Sequence, residues 1–139
     1  MGKHAIIVIK NDKNEYLQYY DKRWNSYLFL NCKMNDKLEK NPIKEKLISD
    51  LKLKSDDIDC TFIGEKQHKK YSESDKIEKE YEHFFYIVKA KEISNFFKQK
   101  CFEIDDIKYK WFSYIELSND ERIQRVNSDI VNYIKEFNL

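Results

Sequence analysis

Residues 27–53 read YLFLNCKMNDKLEKNPIKEKLISDLKL. The opening segment, Tyr27–Met34, includes the aromatic and aliphatic side chains that favour a β-strand. Farther on, Asn41 is a suitable N-cap residue, and Pro42 suits the first helical position because its φ is already fixed. Apolar side chains then recur with helical spacing at Ile43, Leu47 and Leu51. The stretch therefore predicts a strand, a loop and an amphipathic helix over residues 42–53.

The remainder of the chain has further strand patterns and a second helix pattern. Strands are predicted at residues 4–10, 15–20, 59–65, 80–89 and 108–114, helical turns at 95–100 and 115–121, and a final helix at 126–137. The turn residues Asn11-Asp12-Lys13-Asn14 predict that the first two strands form a hairpin. The polar tract 66–79 has no apolar period and predicts a hairpin tip or a loop. This order of elements predicts a single α+β sandwich domain over residues 1–139.

Composition narrows the classes of function. The 139 residues are 41% hydrophobic and carry a formal net charge of +1. These values predict a folded core and make nucleic-acid binding unexpected. No apolar run is long enough to cross a bilayer, so no membrane association is expected. The three cysteines are odd in number and widely spaced, which predicts reduced thiols and a cytoplasmic location.

In order and spacing, residues 27–53 resemble the box of the Nudix hydrolases, G-x5-E-x7-R-E-U-x-E-E-x-G-U. The family's preceding strand often ends in W-x-F-P-G-G-K, and Tyr27, Phe29 and Lys33 match it in kind. Residues 110–117, KWFSYIEL, resemble the family's W-F-x-x-x-E-L segment before a C-terminal helix. The resemblance implies a Nudix-like α/β/α sandwich with a mixed central β-sheet, a box-type helix at about 42–53 and a C-terminal helix at about 126–137.

The predicted box helix lacks most of the carboxylates that the resemblance implies. Aligned from its end, the helix places Glu45 at the motif's Arg, Lys46 at its first Glu, and Ser49 and Asp50 at its Glu pair. In the family, carboxylates on one helical face hold divalent cations that orient the diphosphate and help to activate water. Here Lys46 would repel a cation and could pair with Asp50. The resemblance therefore implies a catalytically degenerate domain, and no metal or other cofactor is expected.

Such a domain could still bind a nucleotide or a nucleoside-diphosphate-type ligand. Lysine binds phosphate as a point charge, so Lys33 and Lys46 could replace the charge of the metal. Aromatic rings could stack a nucleobase, although rings on strands more often belong to a core or an interface. The candidate ligand-binding residues are Lys33, Lys46, Tyr19, Trp24, Tyr27 and His68. The simpler alternative is that Lys46 and Asp50 form an ordinary solvated pair on the helix.

Two other functions stay open. The first is an active hydrolase that has rebuilt its Mg²⁺ or Mn²⁺ site with acidic side chains of the 73–82 region, together with Asp50. Its candidate catalytic residues are Glu45, Asp50, Glu78, Glu80 and Glu82, with the metal at Asp50 and Glu80. The second is a structural subunit whose exposed aromatic rings bind a protein partner or another copy of the chain.

Cys32 gives a weaker signal. It could form a nucleophile pair with His68 or His83, or share zinc with both, but no tightly spaced ligand pair supports zinc. The usual role of such a cysteine is that of a small buried apolar residue.

Overall fold

The computed structural model of the protein describes residues 2–34, 41–54, 58–72, 74–90 and 98–139. Its strands are β1 (Gly2–Ile9), β2 (Tyr16–Asp21), β3 (Ser26–Lys33), β4 (Ile58–Ser72), β5 (Ile77–Ala90), β6 (Cys101–Ile104) and β7 (Ile107–Phe112). Its helices are α1 (Asn41–Leu51), α2 (Tyr114–Asn119) and α3 (Glu121–Glu136). Glu73, which belongs to the acidic 73–82 region, and the first half of the helical turn predicted at 95–100 lie outside these ranges. None of the helices described is both long enough and apolar enough to cross a membrane.

Within the described ranges, seven strands form one mixed sheet in the order β4-β5-β1-β3-β2-β7-β6. Strand β1 pairs parallel with β5 and antiparallel with β3, while the other neighbouring strands are antiparallel. Side chains alternate between the two faces of a strand. On the interior strand β1, Ile7 and Val8 point to opposite faces and are each 0% exposed. The sheet is therefore covered on both sides.

Two apolar cores cover the two faces of the sheet. Helix α1 packs against the face that carries Ile7, and helix α3 packs against the face that carries Val8. The buried stripe of α1 consists of the predicted residues Ile43, Leu47 and Leu51. The buried stripe of α3 includes Ile130, Val131 and Ile134. This arrangement confirms the predicted α/β/α sandwich with a mixed central sheet.

The predicted hairpin of the first two strands is wrong. The chain does turn between them, where Asn11 Oδ1 accepts hydrogen bonds from the backbone N–H groups of Lys13 and Glu15. Beyond an isolated bridge between Lys10 and Tyr16, however, strand β3 lies between β1 and β2. Local turn chemistry indicates where the chain reverses, whereas strand pairing depends on contacts that are distant in sequence.

The polar tract 66–79 contains the tip of the β4–β5 hairpin, as one of the two predicted alternatives has it, but most of the tract is strand and not loop. Strands β4 and β5 pair antiparallel as far as Ser72 and Ile77, so only a short turn separates them. In this turn Lys76 takes a left-handed φ of 61°. Strand β4 lies at the edge of the sheet, where water reaches the strand and polar side chains are favoured. The tract therefore lacks the apolar alternation from which a strand is predicted.

Two helix boundaries differ from the prediction for reasons of capping. Helix α1 ends at Leu51, earlier than predicted, because Lys52 takes a left-handed φ of 60°. Helix α3 begins at Glu121, well before the predicted start at 126. Its N-cap is Asp120, whose side chain accepts a hydrogen bond of 2.9 Å from the N–H of Ile123.

Gly64 occupies a position where a side chain would collide with the core beneath α3. The register of β4 against β5 shifts between Phe62 and Gly64, and a Cβ added to Gly64 would lie 2.7 Å from the hydroxyl of Tyr133. Tyr133 is 3% exposed and stacks on Phe85 with ring centroids 3.7 Å apart, so it has little room to move. We expect Gly64→Ala to lower the free energy of unfolding by about 1–3 kcal/mol, as measured by urea denaturation.

Tyr133→Phe is the control for this prediction because it removes the hydroxyl that the new Cβ would meet. In the Tyr133→Phe background, Gly64→Ala is expected to cost less stability than in the wild type. An equal cost in both backgrounds would show that the hydroxyl collision is not the cause.

Candidate functional site

A cleft of about 560 Å³ lies where β1, β3 and β5 approach the beginning of α3. Ile6 and Phe29 line it, and both belong to the core packed against α3. Strand alternation places His4 and His83 on this same face of the sheet. Asn127 also lines the cleft, at the point where α3 departs from helical geometry with a φ of −141°. The cleft is therefore on the opposite face of the sheet from α1.

Four basic side chains line the cleft: Arg23, Lys33, Lys70 and Lys79. Burial lowers the pKa of His4, and the positive charges of all four basic residues add to this effect. The four charges therefore converge on one region. The acidic side chains that line the cleft are Asp21, Asp75 and Glu80, so the excess of positive charge is small.

Some of these charges are already paired within the protein. Asp75 forms an ion pair with Lys79. Asp21 accepts hydrogen bonds from the backbone N–H of Arg23 at 2.8 Å and from the hydroxyl of Tyr19 at 2.9 Å. Lys33 is exposed at the rim of the cleft, so its charge is accessible to a ligand.

Lys70 is the least exposed of the four cations, with 20% of its side chain accessible. Its Nζ lies 3.1 Å from Asp129 Oδ1 and 3.0 Å from Oδ2. The same ammonium lies 5.8 Å from the centre of the Trp24 ring and 5.4 Å from that of Tyr81, which is within the range of cation–π attraction. Burial lowers the pKa of Lys70, and the Asp129 carboxylate opposes this shift without reversing it. A longer contact of 3.5 Å reaches Asn127 Oδ1.

All three histidines of the chain lie in or beside the cleft. His4 pairs with His83 across β1 and β5, and the rings of His68 and His83 have centroids 5.2 Å apart. Tyr81 stacks on His83 at 5.7 Å. Burial lowers the pKa of His68, and it lowers the pKa of His83 to about 2. Both imidazoles are therefore neutral at neutral pH.

Three side chains, His68, His83 and Asp129, bring metal-binding atoms together. One donor atom from each residue lies within 4.8 Å of the others, and His68 Nδ1 is 3.7 Å from Asp129 Oδ2. Among the described residues, no other group of three His, Cys, Asp or Glu side chains comes this close. This group is distinct from the Asp50 and Glu80 pair considered from the sequence.

The structure brings some of the predicted ligand-binding residues together. The three that line the cleft are Tyr19, Trp24 and Lys33. His68 lies beside the cleft, in ring contact with His83. Tyr27 packs against Phe112 with ring centroids 5.3 Å apart and contributes to the core beneath α3.

Lys46 lies on α1, on the face of the sheet away from the cleft. Its Nζ is 2.7 Å from Asp50 Oδ2, which is the ordinary helix pair of the simpler alternative. The structure therefore places Lys33 in the cleft and Lys46 outside it.

The alternative catalytic carboxylates lie in separate places. Glu80 lines the cleft. Glu78 and Glu82 are its neighbours on β5, and Glu82 accepts a hydrogen bond from Gln67. The remaining two carboxylates, Glu45 and Asp50, are on α1.

Cys32 lies on the other face of the sheet from the histidine rings. It pairs with Ala5 of β1 and packs against the core beneath α1. Burial raises the pKa of its thiol, which keeps the thiol neutral. The structure therefore does not bring Cys32 together with His68 or His83, either as a nucleophile pair or as zinc ligands.

The sequence patterns do not single out Lys70, Tyr81, Asn127 or Asp129. A strand through residues 66–72 would have predicted part of this site. It places His68 and Lys70 on the same face of the sheet, and His68 is the register partner of Tyr81. Asp129 and Asn127 have no such signal, since they meet the hairpin only through the packing of α3.

Solved Nudix hydrolases have the same fold as this chain. Ap4A hydrolase from C. elegans superposes with a TM-score of 0.58 at 10% identity, over 99% of this chain and 96% of that one. The MutT protein from Bacillus halodurans gives 0.57 at 12% identity, over 96% and 82%. A Nudix hydrolase from Nitrosomonas europaea gives 0.54 at 13% identity, over 98% and 90%.

The likeness establishes the fold. No protein-family model and no curated protein sequence matches the chain. The similar structures cover almost the whole of this chain at low identity, so the predicted Nudix-like fold is confirmed.

Proposed function

We propose that the cleft binds a nucleotide or a nucleoside-diphosphate-type ligand without metal-dependent hydrolysis by the box helix. The observation that carries this proposal is the convergence of Lys33, Lys70 and the Trp24 ring in one cleft of about 560 Å³. Small-molecule sites have volumes of about 300–1,000 Å³. An aromatic ring can stack a nucleobase, and a lysine can hold a phosphate. The similar C. elegans structure is that of an Ap4A hydrolase, which supports a ligand of this class.

The pairing on α1 supports binding without hydrolysis. The ammonium of Lys46 lies 2.7 Å from Asp50, the one carboxylate that the motif alignment leaves in place. A divalent cation there would have to displace Lys46, and Ser49 offers it no charge. We therefore expect no Mg²⁺ or Mn²⁺ cofactor at this helix. The free thiols of all three cysteines fit a protein of the cytoplasm.

An active hydrolase with a rebuilt metal site is the second candidate. The position of Glu80 in the cleft favours it. In that case Mg²⁺ or Mn²⁺ would support turnover of nucleoside-diphosphate compounds, and Glu80→Gln would abolish it.

An interaction subunit is the third candidate. Tyr71 and Ile77, near the tip of the β4–β5 hairpin, are 53% and 55% exposed, and exposed apolar side chains can bind a protein partner or a second copy. Self-association measured by sedimentation, and lost in Tyr71→Ser, would favour this candidate.

Trp24 is expected to report ligand binding through its fluorescence. The chain has two tryptophans, and Trp111 is 2% exposed in the core beneath α1. Titration with ADP in the presence of EDTA should therefore quench mainly Trp24. Trp24→Leu is expected to weaken ADP binding about tenfold, because stacking contributes about 1–3 kcal/mol per base.

Trp24→Phe keeps an aromatic ring and should retain most of the affinity in calorimetric titration. If Trp24→Leu binds ADP as tightly as the wild type, the base does not stack on this residue.

A further inference from the structure

We propose that His68, His83 and Asp129 form a binding site for a first-row transition-metal dication such as Zn²⁺. The site lies on the opposite face of the sheet from α1, so it is separate from the box helix. It does not depend on the nucleotide proposed for the cleft, because the metal ion alone is the ligand.

The β4–β5 hairpin and helix α3 bring the three donors together. Antiparallel pairing sets His68 opposite Tyr81, diagonal to His83 on the same face. Asp129 approaches from α3, with its Oδ2 3.7 Å from His68 Nδ1. All three side chains belong to strands or a helix rather than to loops, which limits how far the donors can separate.

The separation of the donor atoms is close to what a metal needs. The atoms lie within 4.8 Å of one another. Bonds of about 2.0–2.2 Å to a tetrahedral ion place the ligand atoms about 3.4 Å apart. Small rotations of the three side chains would close the remaining distance of up to about 1.4 Å.

Two buried ring nitrogens are an independent observation that points to a ligand. His68 Nε2 and His83 Nδ1 are buried and have no hydrogen-bond partner in the described structure. His83 as a whole is only 4% exposed. Buried polar atoms are nearly always satisfied, so each imidazole has a nitrogen for which the polypeptide provides no partner. A metal ion bound to His83 Nδ1 would provide that nitrogen with a partner. On His68 the unpartnered nitrogen is Nε2, whereas Nδ1 is the nitrogen that lies 3.7 Å from Asp129 Oδ2. The neutral imidazole that burial favours is also the form that binds metals.

The donor set indicates the class of metal. Two imidazole nitrogens and one carboxylate oxygen match the ligand sets that bind zinc and leave a fourth position for water. Mg²⁺ and Ca²⁺ prefer oxygen donors throughout. A borderline dication such as Zn²⁺ or Co²⁺ therefore suits the site better than the Mg²⁺ considered for the box helix.

The positive charge of Lys70 disfavours binding of a metal ion at this site. Its Nζ is 3.0 Å from Asp129 Oδ2, so an incoming dication must displace the ammonium and meets its repulsion. Lys70→Met removes the charge and keeps the apolar stem. We expect this variant to bind Zn²⁺ at least about tenfold more tightly than the wild type.

The test is a titration of the metal-stripped protein with Zn²⁺ by calorimetry and with Co²⁺ by absorption spectroscopy. We expect one equivalent of Co²⁺ to give visible bands without the near-ultraviolet band of a thiolate ligand. His68→Gln and Asp129→Asn should each weaken Zn²⁺ binding at least about tenfold. One control should keep the wild-type affinity: Cys101→Ser, which removes the exposed thiol.

Circular dichroism and urea denaturation in EDTA check that each variant is folded. Asp129→Asn preserves side-chain shape, so it keeps the test conclusive should His68→Gln be unfolded. Zn²⁺ binding that survives in the folded cluster variants, or that is lost in Cys101→Ser, would overturn the site. A Lys70→Met variant that binds Zn²⁺ no more tightly than the wild type would also overturn it.

Discussion

Replacing Lys70 with methionine is expected to weaken binding of ADP about 10- to 100-fold. The Lys70 ammonium lies above the Trp24 and Tyr81 rings, and its contacts to the Val126 carbonyl and Asn127 Oδ1 are long, at 3.4 and 3.5 Å. A phosphate oxygen at a normal distance can replace one of these contacts. A hydrogen bond to a charged group contributes about 1.5–3 kcal/mol, and about 1.4 kcal/mol corresponds to a tenfold change in affinity. Calorimetric titration in EDTA measures the change.

Lys69→Met is the matched control for this prediction. Lys69 precedes Lys70 on β4, so its side chain points to the opposite face, where its Nζ lies 3.8 Å from Glu78. Both variants remove one positive charge. Equal losses of affinity would mean that binding follows net charge alone, and the specific role of Lys70 would be rejected. Because Lys70→Met should also strengthen Zn²⁺ binding, the two proposals fail in distinguishable ways.

The metal-free protein is expected to lose stability as the pH falls below 6.5, in part because of His83. Burial, with the charges of Lys70, His68 and His4, lowers the pKa of His83 from 6.5 to about 2 in the folded state. Between these values the unfolded chain binds a proton at His83 that the folded chain does not bind. The free energy of unfolding therefore decreases by about 1.4 kcal/mol per pH unit for this residue. Between pH 6 and pH 4 the expected loss is about 2–3 kcal/mol.

His83→Gln isolates this contribution because glutamine does not titrate. Urea denaturation in EDTA at several pH values gives the slope of stability against pH for the wild type and for the variant. A destabilisation that is the same at every pH does not change this slope. Between pH 5.5 and pH 4, the slope of the free energy of unfolding against pH should be smaller in the variant by about 1.4 kcal/mol per pH unit, which corresponds to one proton. Parallel slopes in the two proteins would contradict the neutral buried state of His83.

The parts of the fold that depend on local patterns can be predicted from the sequence. Apolar residues recur at helical spacing in α1, at Ile43, Leu47 and Leu51. The resemblance of residues 27–53 to the Nudix box predicts the type of sandwich. Pairing of distant strands is not local. The turn at Asn11 predicts a hairpin, yet β3 inserts between β1 and β2. Strand β6 spans only Cys101–Ile104, which is too short to show a pattern.

The candidate site is less predictable than the fold. The sequence points to Lys33 because it lies in the stretch that resembles the family, and to Trp24 because an aromatic ring can stack a nucleobase. Lys70 lies on an edge strand where most residues are polar on both faces, so the sequence lacks the alternation of apolar and polar residues that predicts a strand. Asp129 comes from the far end of the chain, and only packing of α3 against the β4–β5 hairpin places it beside Lys70 and His68.

Binding without hydrolysis is tested most directly by ³¹P NMR of ADP-ribose incubated with the protein and Mg²⁺. We predict that the diphosphate resonances shift or broaden on addition of protein, equally in EDTA, and that no phosphomonoester signal grows with time. A phosphomonoester signal that grows in proportion to the protein concentration, requires Mg²⁺ and is lost in Glu80→Gln would show an active hydrolase instead.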